Sequence, residues 1–119
     1  MIGRSLGVFL LGLAILGLSA CAVQGPLYHW GPYETLVYQM YAEPGRADPS
    51  AQVEQLARDV AAAQASGERV APGVHMHLGY MYWLQGDAGA ARAEIETEKR
   101  IFPESSVFAE RLLAAMRAP

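Results

Sequence analysis

The chain has one cysteine in 119 residues and no Asp or Glu before Glu34. A lone cysteine excludes a disulfide within the chain. Lys and Arg are not clustered, and the formal net charge is −3, so the phosphate neutralisation that nucleic-acid binding needs has no source. There is no Gly-rich phosphate loop, and no nucleophile lies near a base in a recognisable catalytic motif. The expectation is therefore a non-enzyme with no cofactor and no small-molecule substrate. Beyond Val23 no stretch alternates apolar and polar residues as a half-buried strand does.

What is present is unevenly distributed. The run "SLGVFLLGLAILGLSACAV", from Ser5 to Val23, carries no charge and follows the amino terminus and Arg4. A basic start, an apolar run and then small residues form the layout of a secretory signal peptide. A membrane-crossing helix needs about 20 apolar residues to span ~30 Å of hydrocarbon. Leu6 to Leu18 is shorter than that, and an uncleaved anchor is the alternative.

Leu18-Ser19-Ala20-Cys21 resembles the bacterial lipobox. The resemblance implies that residues 1–20 are a lipoprotein signal peptide cut just before Cys21. It also implies a diacylglyceryl group on the Cys21 sulfur and a fatty acid such as palmitate on the new amino terminus. Each buried methylene contributes about 0.8 kcal/mol, so two or more chains hold firmly. Ala22 stands where inner-membrane retention is associated with aspartate, which implies the periplasmic face of an outer membrane. Loss of Arg4 with the signal peptide leaves a formal charge of about −4. Residues 21–31, with "AVQGPLYHWG", read as a lipidated tether. Tyr28, His29 and Trp30 are unusual there: they pack on the domain, sit at the lipid interface, or contact a partner.

Residues 32–117 read as a helical domain of about five helices. Pro32 suits a first turn, with Tyr33, Val37, Met40 and Tyr41 on one stripe. "EPGRA" breaks that helix. Asp48 and Pro49 start the second, whose inner face is Val53, Leu56, Val60 and Ala63; Glu54 and Arg58 pair outside, and Gly67 stops it. The third helix follows Pro72-Gly73 and is apolar nearly all round, with Val74, Leu78, Met81 and Tyr82 on one face and Met76, Tyr80 and Trp83 on another. Such a helix is covered on both sides, or is covered on one and binds with the other. Asp87 caps the fourth, with Ala91, Ile95 and Phe102 inward, Glu96 paired with Arg100, and Pro103 as its stop. Ser105 or Ser106 caps the last, whose stripe is Phe108, Leu112 and Ala115 beside Met116.

The third and fourth helices resemble a tetratricopeptide repeat, a helical hairpin of about 34 residues. Leu78, Gly79, Tyr82, the turn at Gly86-Asp87, Ala91, Ile95 and Pro103 share one register of that motif. Departures are His75, where Trp is common, and Glu98, where Ala is usual. Through the lipobox, "YHWGPYE", "HLGYMY" and "FPES", the chain also resembles a family of small bacterial lipoproteins whose domain has no assigned function. That resemblance implies genes for other envelope lipoproteins nearby, among them relatives of the curli export channel.

In the repeat register Met76, Tyr80 and Trp83 fall on the concave surface, at i, i+4, i+7 spacing, and are the candidate partner-binding residues. The competing reading covers them with the tether or the first helix. His75 and His77 are two residues apart on a helix and point to nearly opposite sides, so they are not expected to share a metal. Glu94, Glu96 and Glu98 read as a solvated helix face. The functional expectation is an envelope adaptor or assembly protein. Its alternative is a structural lipoprotein contacting the cell wall or lipid without a protein partner.

Overall fold

The computed structural model describes residues 25–46 and 48–117; the signal segment and Cys21 lie outside them. Five α-helices follow one another: α1 (Tyr33–Ala42), α2 (Pro49–Ala65), α3 (Val74–Leu84), α4 (Ala88–Ile101) and α5 (Ser106–Ala115), with a 3-10 turn at Pro103–Ser105. The domain is all-α. An isolated parallel bridge joins His29 to Val70. No helix among the described residues is long and apolar enough to cross a membrane.

Helix ends form where the local chemistry demands. Asp48 Oδ1 accepts from the Ser50 and Ala51 amides at 2.9 and 3.0 Å, with Pro49 at the first helical position. This satisfies amides that α2 would otherwise leave open. Asp87 does the same for α4, accepting from Ala90 at 2.9 Å. Beyond α2, Gly67 takes φ +72°, the left-handed conformation that ends a helix. Glu54 and Arg58 pair on the outer face at 3.5 Å. Arg100 donates instead to the hydroxyl of Thr97, one turn back at 3.3 Å, rather than pairing with Glu96. Lys99 reaches across to Glu110 on α5 at 2.9 Å.

Helix α3 is apolar around its circumference because it is covered on two sides. Val74 and Leu78 face a core with Leu36 of α1, Leu56, Val60 and Ala63 of α2, and Val70 and Ala71 of the connecting loop. Met76 faces a second core with Ile95 of α4 and Ala109 and Leu113 of α5. Between these, α3 and α4 meet at Gly79. A Cβ there would sit 2.7 Å from Ile95 Cγ1 and 2.9 Å from the Ala91 carbonyl oxygen, so any larger residue forces the helices apart.

Two stripes differ from expectation. In α1 the buried residue is Leu36, while Tyr41 is 75% exposed. The helix touches the body through its first turns, where Tyr33 packs edge-on to His77 with ring centroids 5.7 Å apart. In α5 the buried pair is Ala109 and Leu113, and Phe108 is 60% exposed. The 3-10 turn, closed by Ser105 Oγ donating to the Phe102 carbonyl at 2.7 Å, presents the small Ala109 to α4, where helices approach more closely than Phe108 allows.

The chain joins this body ahead of α1. His29 donates its amide to the Arg69 carbonyl and accepts from the Ala71 amide, at 2.7 and 3.0 Å. Tyr28 packs edge-on to Phe102 beneath the Arg69 guanidinium, and Trp30 stacks on Tyr33. The His29 ring lies between two carboxylates, with Nε2 at 3.0 Å from Asp59 and Nδ1 at 2.8 Å from Glu68. A carboxylate on each nitrogen requires both to donate, which is the imidazolium form. Gly31 follows because a Cβ there would overlap the Asp59 carboxylate.

Hydrogen bonding to Asp59, aided by the charges of Asp59 and Glu68, raises the His29 pKa above 6.5 against the opposing effect of partial burial. A pKa raised on folding contributes stability that is fully present below the unfolded value and is lost as pH rises through the folded one. The wild type is therefore expected to unfold at a higher temperature than His29→Asn at about pH 6, with the gap narrowing by about pH 9. Circular dichroism melts over this range check it, and a gap that stays constant with pH refutes the charged clip.

Candidate functional site

A groove of roughly 560 Å³ runs between α1, α3 and α5. Its floor is Met76, already part of the second core. Tyr33 and Tyr41 form the α1 wall, Tyr80 and His77 come from α3, and Phe108 and Leu112 form the α5 wall. The groove lies where α1 touches α3 through Tyr33 while α5, packed chiefly on α4, reaches α3 at Met76. The exposed rings of Tyr41 and Phe108 stand at its edges.

Of the three residues that sequence spacing places on the concave face, two lie together here. Met76 and Tyr80 line the groove, while Trp83 lines a separate hollow with Arg92, Leu113 and Met116. Trp83 is 37% exposed and stacks on Tyr80, with ring centroids 5.9 Å apart and planes 27° from parallel. The stripe is continuous along α3 but faces two hollows, since Met76 and Trp83 are seven residues, about 10 Å, apart along the helix axis. Tyr28, His29 and Trp30 do not line the groove, though Trp30 stacks on Tyr33 of its wall; of the two covering elements, α1 supplies one wall and no roof.

The histidines point to different neighbours. His75 is buried, with Nδ1 donating to Glu94 of α4 at 2.6 Å. His77 Nε2 donates to the Gln52 side-chain oxygen on α2 at 2.7 Å, and burial lowers its pKa, so its neutral form is favoured. Among the described residues no three His, Cys, Asp or Glu side chains gather as a metal site would require.

Glu98 corrects the reading of a solvated carboxylate face. It is 2% exposed, and its Oε1 accepts from the Gly73 amide at 2.7 Å. That amide opens α3, where the helix dipole favours a negative group. Oε2 is buried and makes no well-formed hydrogen bond, although the His75 and Met76 amides of the first α3 turn favour the ionised carboxylate. Burial raises the Glu98 pKa despite the backbone amides that oppose it. Glu94 is half-buried on His75, so the expectation holds for Glu96 alone. A signal for Glu98 was available: Ala91, Ile95, Glu98 and Phe102 share one helical face, and the position is one where repeats carry a small packing residue. Gln52 was missed in the same way, one turn before Leu56 on the inward face of α2.

A pKa raised on folding in an acid means that ionisation weakens the fold, so wild-type stability declines as pH rises through the folded value. Glu98→Gln keeps an acceptor for Gly73 and cannot ionise. Its melting temperature relative to wild type is expected to move in the variant's favour between about pH 5 and about pH 8. Parallel melting curves across that range would contradict the buried charge. Glu98→Ala also loses the Gly73 bond, at a cost of about 1–3 kcal/mol.

Residues 27–112 match the family described as "Domain of unknown function (DUF4810)". Every residue named above as lining the groove lies within that span, and Cys21 precedes it. No curated protein and no solved structure matches the chain. With about three-quarters of its length covered by that match, the chain belongs to the DUF4810 family.

Proposed function

We propose that this chain is a cell-envelope lipoprotein, held at the periplasmic face of the outer membrane by lipid on Cys21. In this reading its helical domain is a non-enzymatic adaptor or assembly factor that seats a segment of a partner protein. The observation that carries the reading is the apolar groove with Met76 on its floor and Tyr80 in its wall. Its volume falls within the roughly 300–1,000 Å³ of ligand sites, and an unfilled apolar concavity on a small domain marks an interaction site. The tetratricopeptide-like register of α3 and α4 supports it, since such hairpins hold extended or helical segments on their concave side. Trp83 extends the same surface beyond the groove. Partners in keeping with the family resemblance are other envelope lipoproteins, including relatives of the curli export channel.

A photoreactive residue at Tyr80 of the membrane-anchored protein in living cells is expected to give a discrete higher-mass adduct. The same probe at Arg58, on the exposed outer face of α2, gives none. Crosslinks confined to the chain itself would leave the structural-lipoprotein alternative. Lipidation is tested separately. An alkyne-bearing fatty acid fed to cells is expected to label the wild type and to leave Cys21→Ser unlabelled, and equal labelling would remove the anchor from the proposal.

A further inference from the structure

The groove has a chemical character beyond being apolar. Four aromatic rings line it, from Tyr33, Tyr41, Tyr80 and Phe108, and none of its lining residues is Lys or Arg. His77, the one basic group there, is bonded to Gln52 and favoured in its neutral form. At the inner end lies the buried Glu98 carboxyl, whose Oε1 is held by the Gly73 amide while Oε2 makes no well-formed hydrogen bond beside the His75 and Met76 amides. A Glu this fully buried with no cationic side chain bonded to it is uncommon in folded proteins and calls for an explanation.

We propose that the groove recognises a positively charged side chain, a lysine or arginine presented by the partner protein, which enters among the four rings and faces Glu98. The inference rests on the reading of the groove as a protein-binding site and specifies what that site selects. Aromatic faces attract cations through their quadrupoles, most strongly when water is excluded. A carboxylate behind the rings adds a charge that acts through low-dielectric surroundings, so direct contact with Oε2 is not required. Tyr33 links the two features: its hydroxyl would lie 2.7 Å from a Cβ on Gly73, the residue whose amide Glu98 holds.

The buried carboxyl has a reason to be there in this reading. Burial disfavours its ionised form, whereas an entering cation adds a charge that favours it. The domain as a whole is acidic, which steers a basic segment toward it. Arginine suits the site well, because a guanidinium stacks on rings and is more weakly hydrated than an ammonium.

The test uses the full chain in detergent micelles with its methionine methyl groups labelled for NMR. Acetyl-arginine methylamide and acetyl-lysine methylamide are titrated against acetyl-citrulline methylamide, a neutral shape-mimic of arginine. A charged probe is expected to shift the Met76 methyl resonance saturably, with citrulline binding about tenfold more weakly. Glu98→Gln should bring the charged and neutral probes to similar affinities. Phe108→Leu, at an exposed position that leaves the core intact, should weaken the charged probes several-fold. Equal binding of citrulline and arginine, or no saturable shift, overturns the proposal. Tighter binding of phosphocholine than of arginine overturns it in favour of a lipid headgroup. A Tyr80 crosslink to a partner alongside any of these negative results leaves the adaptor reading standing and removes only the cation selectivity.

Discussion

The close approach of α3 and α4 at Gly79 governs the rest of the domain. With no side chain between them, Ile95 and the Ala91 carbonyl lie against the α3 backbone, and the two helices form a hairpin with α3 apolar on both flanks. A single hairpin cannot cover such a helix. The chain therefore brings α2 to one flank and α5 to the other, giving two small cores rather than one. Each has few large side chains, as expected for a domain of this size.

That division produces the groove. Elements on opposite flanks of α3 do not meet over it, and α1 buries only Leu36 fully, leaving a trough floored by Met76. It is edged with exposed aromatic rings and backed by a carboxyl that also opens α3. The Glu98 side chain thus has two consequences: it supports a helix start whose own cap residue, Gly73, has no side chain to offer, and it places an acidic group at the inner end of an aromatic groove. Polar groups held in apolar surroundings are expensive to fold around, and they are commonly found where recognition uses them.

The amino-terminal approach uses different chemistry. His29 lies between Asp59 and Glu68, which favour its charged form, while His77 is half-buried and favoured neutral against Gln52. The first fixes where the chain enters the helical body, and the second ties α3 to α2 beneath the groove. Their folded-state pKa values are displaced in opposite directions, so they support the fold toward acid and alkaline pH respectively. The segment ahead of α1 is anchored at Tyr28 and His29 on Phe102, Asp59 and Arg69, and Trp30 continues it onto Tyr33 of the groove wall. A partner could occupy the groove without displacing that attachment.

Features that depend on neighbours in sequence were legible without a structure. The caps at Asp48 and Asp87, the stops at Gly67 and Pro103, the inward faces of α2 and α4, and the all-α class each follow from local hydrogen bonding or from helical periodicity. The small Gly79 and Ala91 could be placed opposite one another through the resemblance of this stretch to a tetratricopeptide repeat. Periodicity does not say what a face meets. The burial of Glu98 and Gln52, the outward turn of Phe108 and Tyr41, and the separation of Trp83 from Met76 and Tyr80 were decided by the tertiary structure. They depend on how α1, α2, α4 and α5 are arranged around α3, and that arrangement is set by packing between residues far apart in the chain.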